Sequence, residues 1–174
     1  MKDKKVLAGG AVLILAAFWF YIKPNFLDAA PPVVYTQEQI ANAPRPTLFL
    51  GKNPDPHADG GNEGLVFNLK ANPNTPKYAR VIIAFEFADP DRHYVGVSGT
   101  DAIVAKNIEF AHHLDPEMHK VLDVVTRIFA SHSIDEVTTP EGKELLKAEL
   151  IAQLNQELHG ETVEAVYFES FITQ

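Results

Sequence analysis

"TPEGKELLKAELIAQLNQELHGETVEAVYFESFITQ" (residues 139–174) holds a helix and a strand back to back. Thr139 is a helix cap, Pro140 takes the first helical position and Glu141 faces the positive end of the dipole. Leu146, Leu150, Ile151, Leu154 and Leu158 form one stripe at helical spacing, and Gly160 supplies the stop. The period then drops to two. Val163 to Thr173 reads as a strand, with Val166, Phe168 and Ile172 on one face and Tyr167 and Phe171 on the other. Both faces are apolar, which predicts a strand covered on both sides. It is expected to pair within a sheet and to pack under the Thr139–His159 helix.

Upstream, two more strands are predicted. "LVFNL" (65–69) is short, while in "YARVIIAFEF" (78–87) Ala79, Val81, Ile83, Phe85 and Phe87 alternate onto one face. The turn-rich "ANPNTPK" joins them. From Thr100 the period becomes helical, with Ile103, Asn107, Phe110 and Leu114 on one face. Asp115 and Pro116 read as a cap and first position for a second helix, in which Val121, Leu122, Val125, Ile128 and Phe129 recur on one side. "SHSIDEVT" breaks that helix. Strands, then helices, then a strand give an α+β domain with helices on one face of a small, mostly antiparallel sheet.

The chain has 174 residues, 46% of them hydrophobic, which builds a core and excludes wholesale disorder. With no cysteine, a disulfide framework, a thiolate zinc site and a cysteine nucleophile are all excluded. The net charge of -8 argues against nucleic acid as a partner.

Residues 6–22, "VLAGGAVLILAAFWFYI", contain no charge. As a helix they span about 25 Å, near the lower limit for crossing a bilayer. Lys2, Lys4 and Lys5 precede the run and hold the amino terminus in the cytoplasm, while Trp19 and Tyr21 suit the far headgroup layer. Val6, Leu13, Leu15, Phe18, Trp19, Tyr21 and Ile22 are the expected membrane-embedded residues. A cleaved signal peptide fits less well, because the apolar run is long and ends in bulky residues. The organisation read from the sequence is therefore a cytoplasmic tail (1–5), a transmembrane helix (6–22), a Pro-rich connector (23–47) and an extracytoplasmic domain (48–174). The connector holds five of the twelve prolines, a composition that makes a semi-stiff spacer.

Candidate sites are weak. "DPHADGGNEG" (55–64) places Asp55, Asp59, Gly60 and Glu63 at calcium-loop positions, but His57 and Val66 occupy positions that need oxygen ligands. The Gly51–Gly64 segment reads better as a solvated loop. His112, His113, His119 and His132 form a second candidate set, yet adjacent helical residues diverge and no tight His pair is present. Ser98, Ser131 and Ser133 sit in no nucleophile elbow. Gly96 and Gly99 in "VGVSGT" read as a turn rather than an anion site. No catalytic residue, metal ligand or cofactor site is assigned.

Residues 123–174 carry a resemblance. Asp123, Val124 and Val125, the helix start "TTPEGKELLKAEL", Asn155 and the terminal "VYFESFITQ" follow one another as in the FliL family of flagellar basal-body-associated proteins. The core of this family-like segment is expected at Val125, Phe129, Leu146, Leu150, Leu154, Tyr167, Phe168 and Phe171. The resemblance implies a stomatin-type (SPFH-like) fold on a single-pass anchor in the bacterial inner membrane, with the domain in the periplasm. It further implies a non-catalytic protein that forms a ring-like homo-oligomer, has the flagellar stator as partner and supports motility. The Gly51–Gly64 loop and the His-containing stretch 92–120 depart from the family pattern. The alternative function is a membrane-anchored ligand- or metal-binding domain of another envelope system.

Overall fold

The computed structural model describes residues 34–55 and 60–174. The expected anchor, with Val6, Leu13, Leu15, Phe18, Trp19, Tyr21 and Ile22, lies outside the described residues, as do His57 and Asp59. Among the described residues no helix is long and apolar enough to cross a membrane. The order is α1 (Gln37–Ala41), β1 (Thr47–Leu50), β2 (Leu65–Leu69), β3 (Lys77–Phe87), α2 (Thr100–Leu114), a 3₁₀ turn (Asp115–Glu117), α3 (Met118–Ser131), α4 (Ile134–Thr138), α5 (Pro140–Glu157) and β4 (Val163–Thr173). This is an α+β domain with a small antiparallel sheet and packed helices.

β3 is the centre of the sheet. Along one edge it pairs with β2 over Lys77–Val81 and with β1 over Ile83–Glu86. Along the other it pairs with β4 over Ala79–Phe87. All these pairings are antiparallel, so β1 and β2 act as one interrupted edge strand. The 51–64 loop leaves and rejoins that edge at a pinch where Gly64 N donates to Gly51 O at 2.9 Å. Both glycines have positive φ, and a Cβ on Gly51 would stand 2.7 Å from Leu65 N. Only a residue without a side chain closes such a loop unstrained.

Ala79, Val81, Ile83, Phe85 and Phe87 line the inner face of β3 and are at most 1% exposed. α3 and α5 cover this face with Val121, Val124, Val125, Ile128, Phe129, Leu146, Leu150 and Leu154, all buried. Phe129 lies at the centre, stacked on Phe67 at 4.9 Å and on Phe171 at 6.0 Å, with Phe168 edge-on at 6.4 Å. Leu122, read from the sequence as part of the buried stripe, is 38% exposed; Val124 takes its place. One residue on from Val121 is a rotation of about 100°, which carries Leu122 out of the face.

β4 departs from the expected two-sided strand. Its register skips at Glu164 and at Glu169, one extra residue each time. Each bulge resets the alternation. Val163, Val166, Phe168 and Phe171 therefore all pair opposite inner-face residues of β3, and Tyr167 and Ile172 opposite outer-face ones. Tyr167, expected in the core, is 49% exposed and Ile172 is 44% exposed. The second face of β4 is open to solvent, not covered.

Two local readings also change. Asp115 does not cap the second helix; its carboxylate lies 3.2 Å from His112 Nδ1, and a 3₁₀ turn leads into α3 without a side-chain cap. The segment after α3 is not only a break. Ser133 and Glu136 form a capping box for α4: Ser133 N donates to Glu136 Oε2 at 2.6 Å and Glu136 N donates to Ser133 Oγ at 3.4 Å.

Candidate interaction surface

The outer face of the sheet is built in cross-strand rows. Phe49, Ala84 and Tyr167 form one, and Val66, Arg80 and Ile172 another. Beyond these, Asn68 pairs with Tyr78, which exchanges two backbone hydrogen bonds of 3.0 Å with Gln174. Val66 is 63% and Tyr78 38% exposed. These aromatic and branched residues suit a pleated strand wherever they point, but here they point at water. Grouped exposed apolar side chains of this kind mark interaction sites more often than single ones.

Charged groups frame the same face. Arg45 pairs with Glu164 at 2.9 Å and Lys52 with Glu169 at 2.8 Å, each linking an end of β1 to a bulge of β4 across β3. Lys52 Nζ also stands 4.7 Å from the Phe49 ring centroid. Tyr167 Oη donates to Glu86 Oε2 at 3.3 Å. The bulged glutamates thus tie β4 to the ends of β1, and they put charge on an edge strand, which discourages random strand pairing.

Asn155 fixes the start of β4. Its Nδ2 donates to Val163 O at 3.0 Å, and its Oδ1 accepts from Val163 N at 2.7 Å. One amide side chain on α5 thereby satisfies both backbone groups of a strand residue. The sequence marks Asn155 only by position; the role needs the helix and strand placed side by side. Lower on the same two elements, Lys143 Nζ lies 5.0 Å from the Phe171 ring centroid and Lys147 Nζ 5.9 Å from that of Phe168. These ammonium groups shield two half-buried rings.

The histidines are spread over different partners. His112 meets Asp115, and His113 Nε2 lies 3.2 Å from Glu161 Oε1. His119 is exposed. His132 is buried, with Nδ1 3.0 Å from Ile128 O and Nε2 3.5 Å from Glu149 Oε2. Among the described residues no group of three His, Asp or Glu side chains could hold a metal ion. Ser131 Oγ donates to Ile128 O at 2.7 Å and Ser133 serves the capping box, so both hydroxyls have structural partners. Gly99 has φ 86 and precedes α2 with no side-chain cap. Asn53 and Asn62 tie the ends of the 51–64 loop together, where Asn53 N donates to Asn62 Oδ1 at 3.2 Å. Val66, which would fall at the last calcium-loop position, lies in β2.

One buried polar network escaped the sequence reading. Tyr94 Oη donates to Asn107 Oδ1 at 3.1 Å, and the same oxygen accepts from Thr47 N at 3.1 Å. Burial, with Asp89 and Glu109 nearby, pushes the Tyr94 phenol far above its usual range, so it remains a donor. Asn107 on an apolar helical stripe was the available signal.

Comparison with known proteins places these features in a family. The family model described as "Flagellar basal body-associated protein FliL" matches residues 62–174. A curated protein, "Flagellar protein FliL" of Aquifex aeolicus (strain VF5), is 28% identical over 110 residues. That alignment covers 63% of this chain and 56% of the relative, so the chain spans little more than half the length of the relative it matches.

Proposed function

This chain belongs to the FliL family of flagellar basal body-associated proteins, and from that premise we infer that it works as a non-catalytic, membrane-anchored scaffold that assembles with copies of itself beside the flagellar stator. The observation that carries the reading is the open face of the sheet, where Val66, Tyr78 and Ile172 lie together and Tyr167 lies further along β4, on strands whose other face meets the helices. Residues 6–22 serve as a single inner-membrane anchor with the amino terminus in the cytoplasm. Residues 23–47 lift a periplasmic domain of stomatin-like architecture to the height of its partner. Confinement to a plane raises the effective concentration of the copies, so a modest apolar interface suffices for ring-like assembly.

The test is in-cell crosslinking from the outer sheet face in flagellated cells. Cysteine at position 172 in a chain that otherwise has none gives a clean probe. Adducts to a second copy and to a stator subunit, together with lost motility on deletion, are the expected result. Normal motility and stator occupancy in the deletion strain under high load would remove the reading.

A further inference from the structure

Between α2 and the Ala88 end of the sheet lies a pocket of about 320 Å³. Its walls are apolar at Phe110, Tyr94 and Pro46, and its rim carries Asp91, Glu109 and Glu161. Phe110 is held edge-on to Phe87 at 4.9 Å, and the Tyr94 hydroxyl is bound to Asn107. The loop closing one side is equally fixed. The Asp89 carboxylate accepts from His93 N and Tyr94 N, both at 2.8 Å, and these bonds hold Arg92 at φ 60. A non-glycine residue in that region is seldom seen and is retained only when its surroundings impose it. A wall fixed in advance loses little entropy when something binds.

The rim decides what fits. Lys106 is its one lysine and lies 2.8 Å from Glu109, whose carboxyl it holds below the usual range through that hydrogen bond. Among the described residues Glu161 pairs with the imidazole of His113, and Asp91 shows no ion pair. Four lining carboxylates, Asp89, Asp91, Glu109 and Glu161, against the ammonium of Lys106 and the imidazoles of His93 and His113 leave the mouth negative whether or not the imidazoles are charged, in a chain of net charge -8. An anion is disfavoured there. An aromatic floor under a negative rim complements a cation carried on an apolar stem. Guanidinium matches it best, because its planar fork forms paired hydrogen bonds with carboxylates and is more weakly hydrated than an ammonium.

We propose that this pocket receives an arginine or lysine side chain presented by a protein partner, with the alkyl stem against Phe110 and Tyr94 and the charge at the Glu109 and Glu161 rim. The proposal rests on the reading of the domain as a protein-binding scaffold, and it gives that scaffold a second contact, at the far end of β3 from the Val66–Ile172 row. Exposed ion pairs are individually weak, so a single side chain binds on the order of millimolar and gains strength from the assembly around it.

The experiment is an NMR titration of the full chain in detergent micelles with N-acetyl-arginine methylamide. Saturable shifts at His93, Tyr94, Phe110 and Glu161, weakened by molar salt and by about tenfold in Glu109→Gln/Glu161→Gln, are expected. The norleucine analogue should bind about tenfold more weakly and the aspartate analogue not at all. Equal binding of norleucine, preference for aspartate, shifts with zinc alone, or no saturable shift with arginine would each overturn the assignment. Salt dependence in the unsubstituted protein keeps the test valid if the double variant folds poorly. Crosslinking from position 172 leaves this pocket untouched, so the scaffold reading and the pocket can fail separately.

Discussion

The two faces of the sheet share the same four strands and have opposite fates. On β3 the inner residues Ala79, Val81, Ile83, Phe85 and Phe87 are sealed beneath α3 and α5, while the outer face keeps Tyr78 partly exposed and Arg80 in solvent. On β4 two bulges assign every second or third residue inward and leave Tyr167 and Ile172 outside. The lesson is that composition does not separate the faces: both are rich in aromatic and branched residues. What separates them is which face the helices cover. The inner face supplies stability, and the outer face is available for association.

The comparison breaks hardest at its centre. Phe129→Ala removes the ring that stacks between Phe67 and Phe171 and should destabilise the domain by about 3–5 kcal/mol in denaturant unfolding. A change near zero would mean that the inner face is not the core. Deleting residues 171–174 strips Phe171 and the Tyr78–Gln174 pairing from the edge of β3. A loss of about 2–4 kcal/mol is expected from the lost burial and ladder bonds, and a melting curve like that of the full chain would contradict it. Asn155→Ala leaves the backbone groups of Val163 without their amide partner. It should lower stability by about 1–3 kcal/mol and speed hydrogen exchange at the start of β4.

The outer face should answer differently. Tyr167→Ser with Ile172→Ser is expected to change stability by less than about 1 kcal/mol, since both side chains are half exposed. Self-association, measured by sedimentation, should fall. A large loss of stability would show that these residues are core after all. The smallest effect is acidic. Bonds from Ser133, first its backbone N–H and then its hydroxyl, hold the Glu136 carboxyl below its ordinary value of 4.5. A depressed folded value means stability present above 4.5 and lost as pH falls through the lower, folded value. Glu136→Gln should therefore flatten the acid limb of a stability–pH profile below that point, and an unchanged limb would show that the capping box contributes nothing there.

Much of this architecture was legible in residue order. The 3.6 period from Leu146 to Leu158 and the alternation from Ala79 to Phe87 each reflect one buried face, and a buried face leaves a pattern. The β4 faces were not legible, because a bulge is a property of pairing with β3 and shifts the alternation without altering any residue type. Tyr167 was read as core for that reason. Asn155 and the Tyr94–Asn107–Thr47 network were invisible as contacts, since their partners lie 8 to 60 residues away. The flagellar resemblance rested on the order of short features near the carboxy end, and the family match over residues 62–174 extends it upstream.

Site-specific photo-crosslinking in flagellated cells tests the central claim most directly. A photoreactive residue at position 167 samples the outer sheet face, and one at 122 samples an exposed apolar position on the helical layer. Adducts with a second copy and with stator subunits should form from position 167 and not from 122. Adducts from 122 alone, or none from 167 in a strain where the protein is present and the cells swim, would contradict the account.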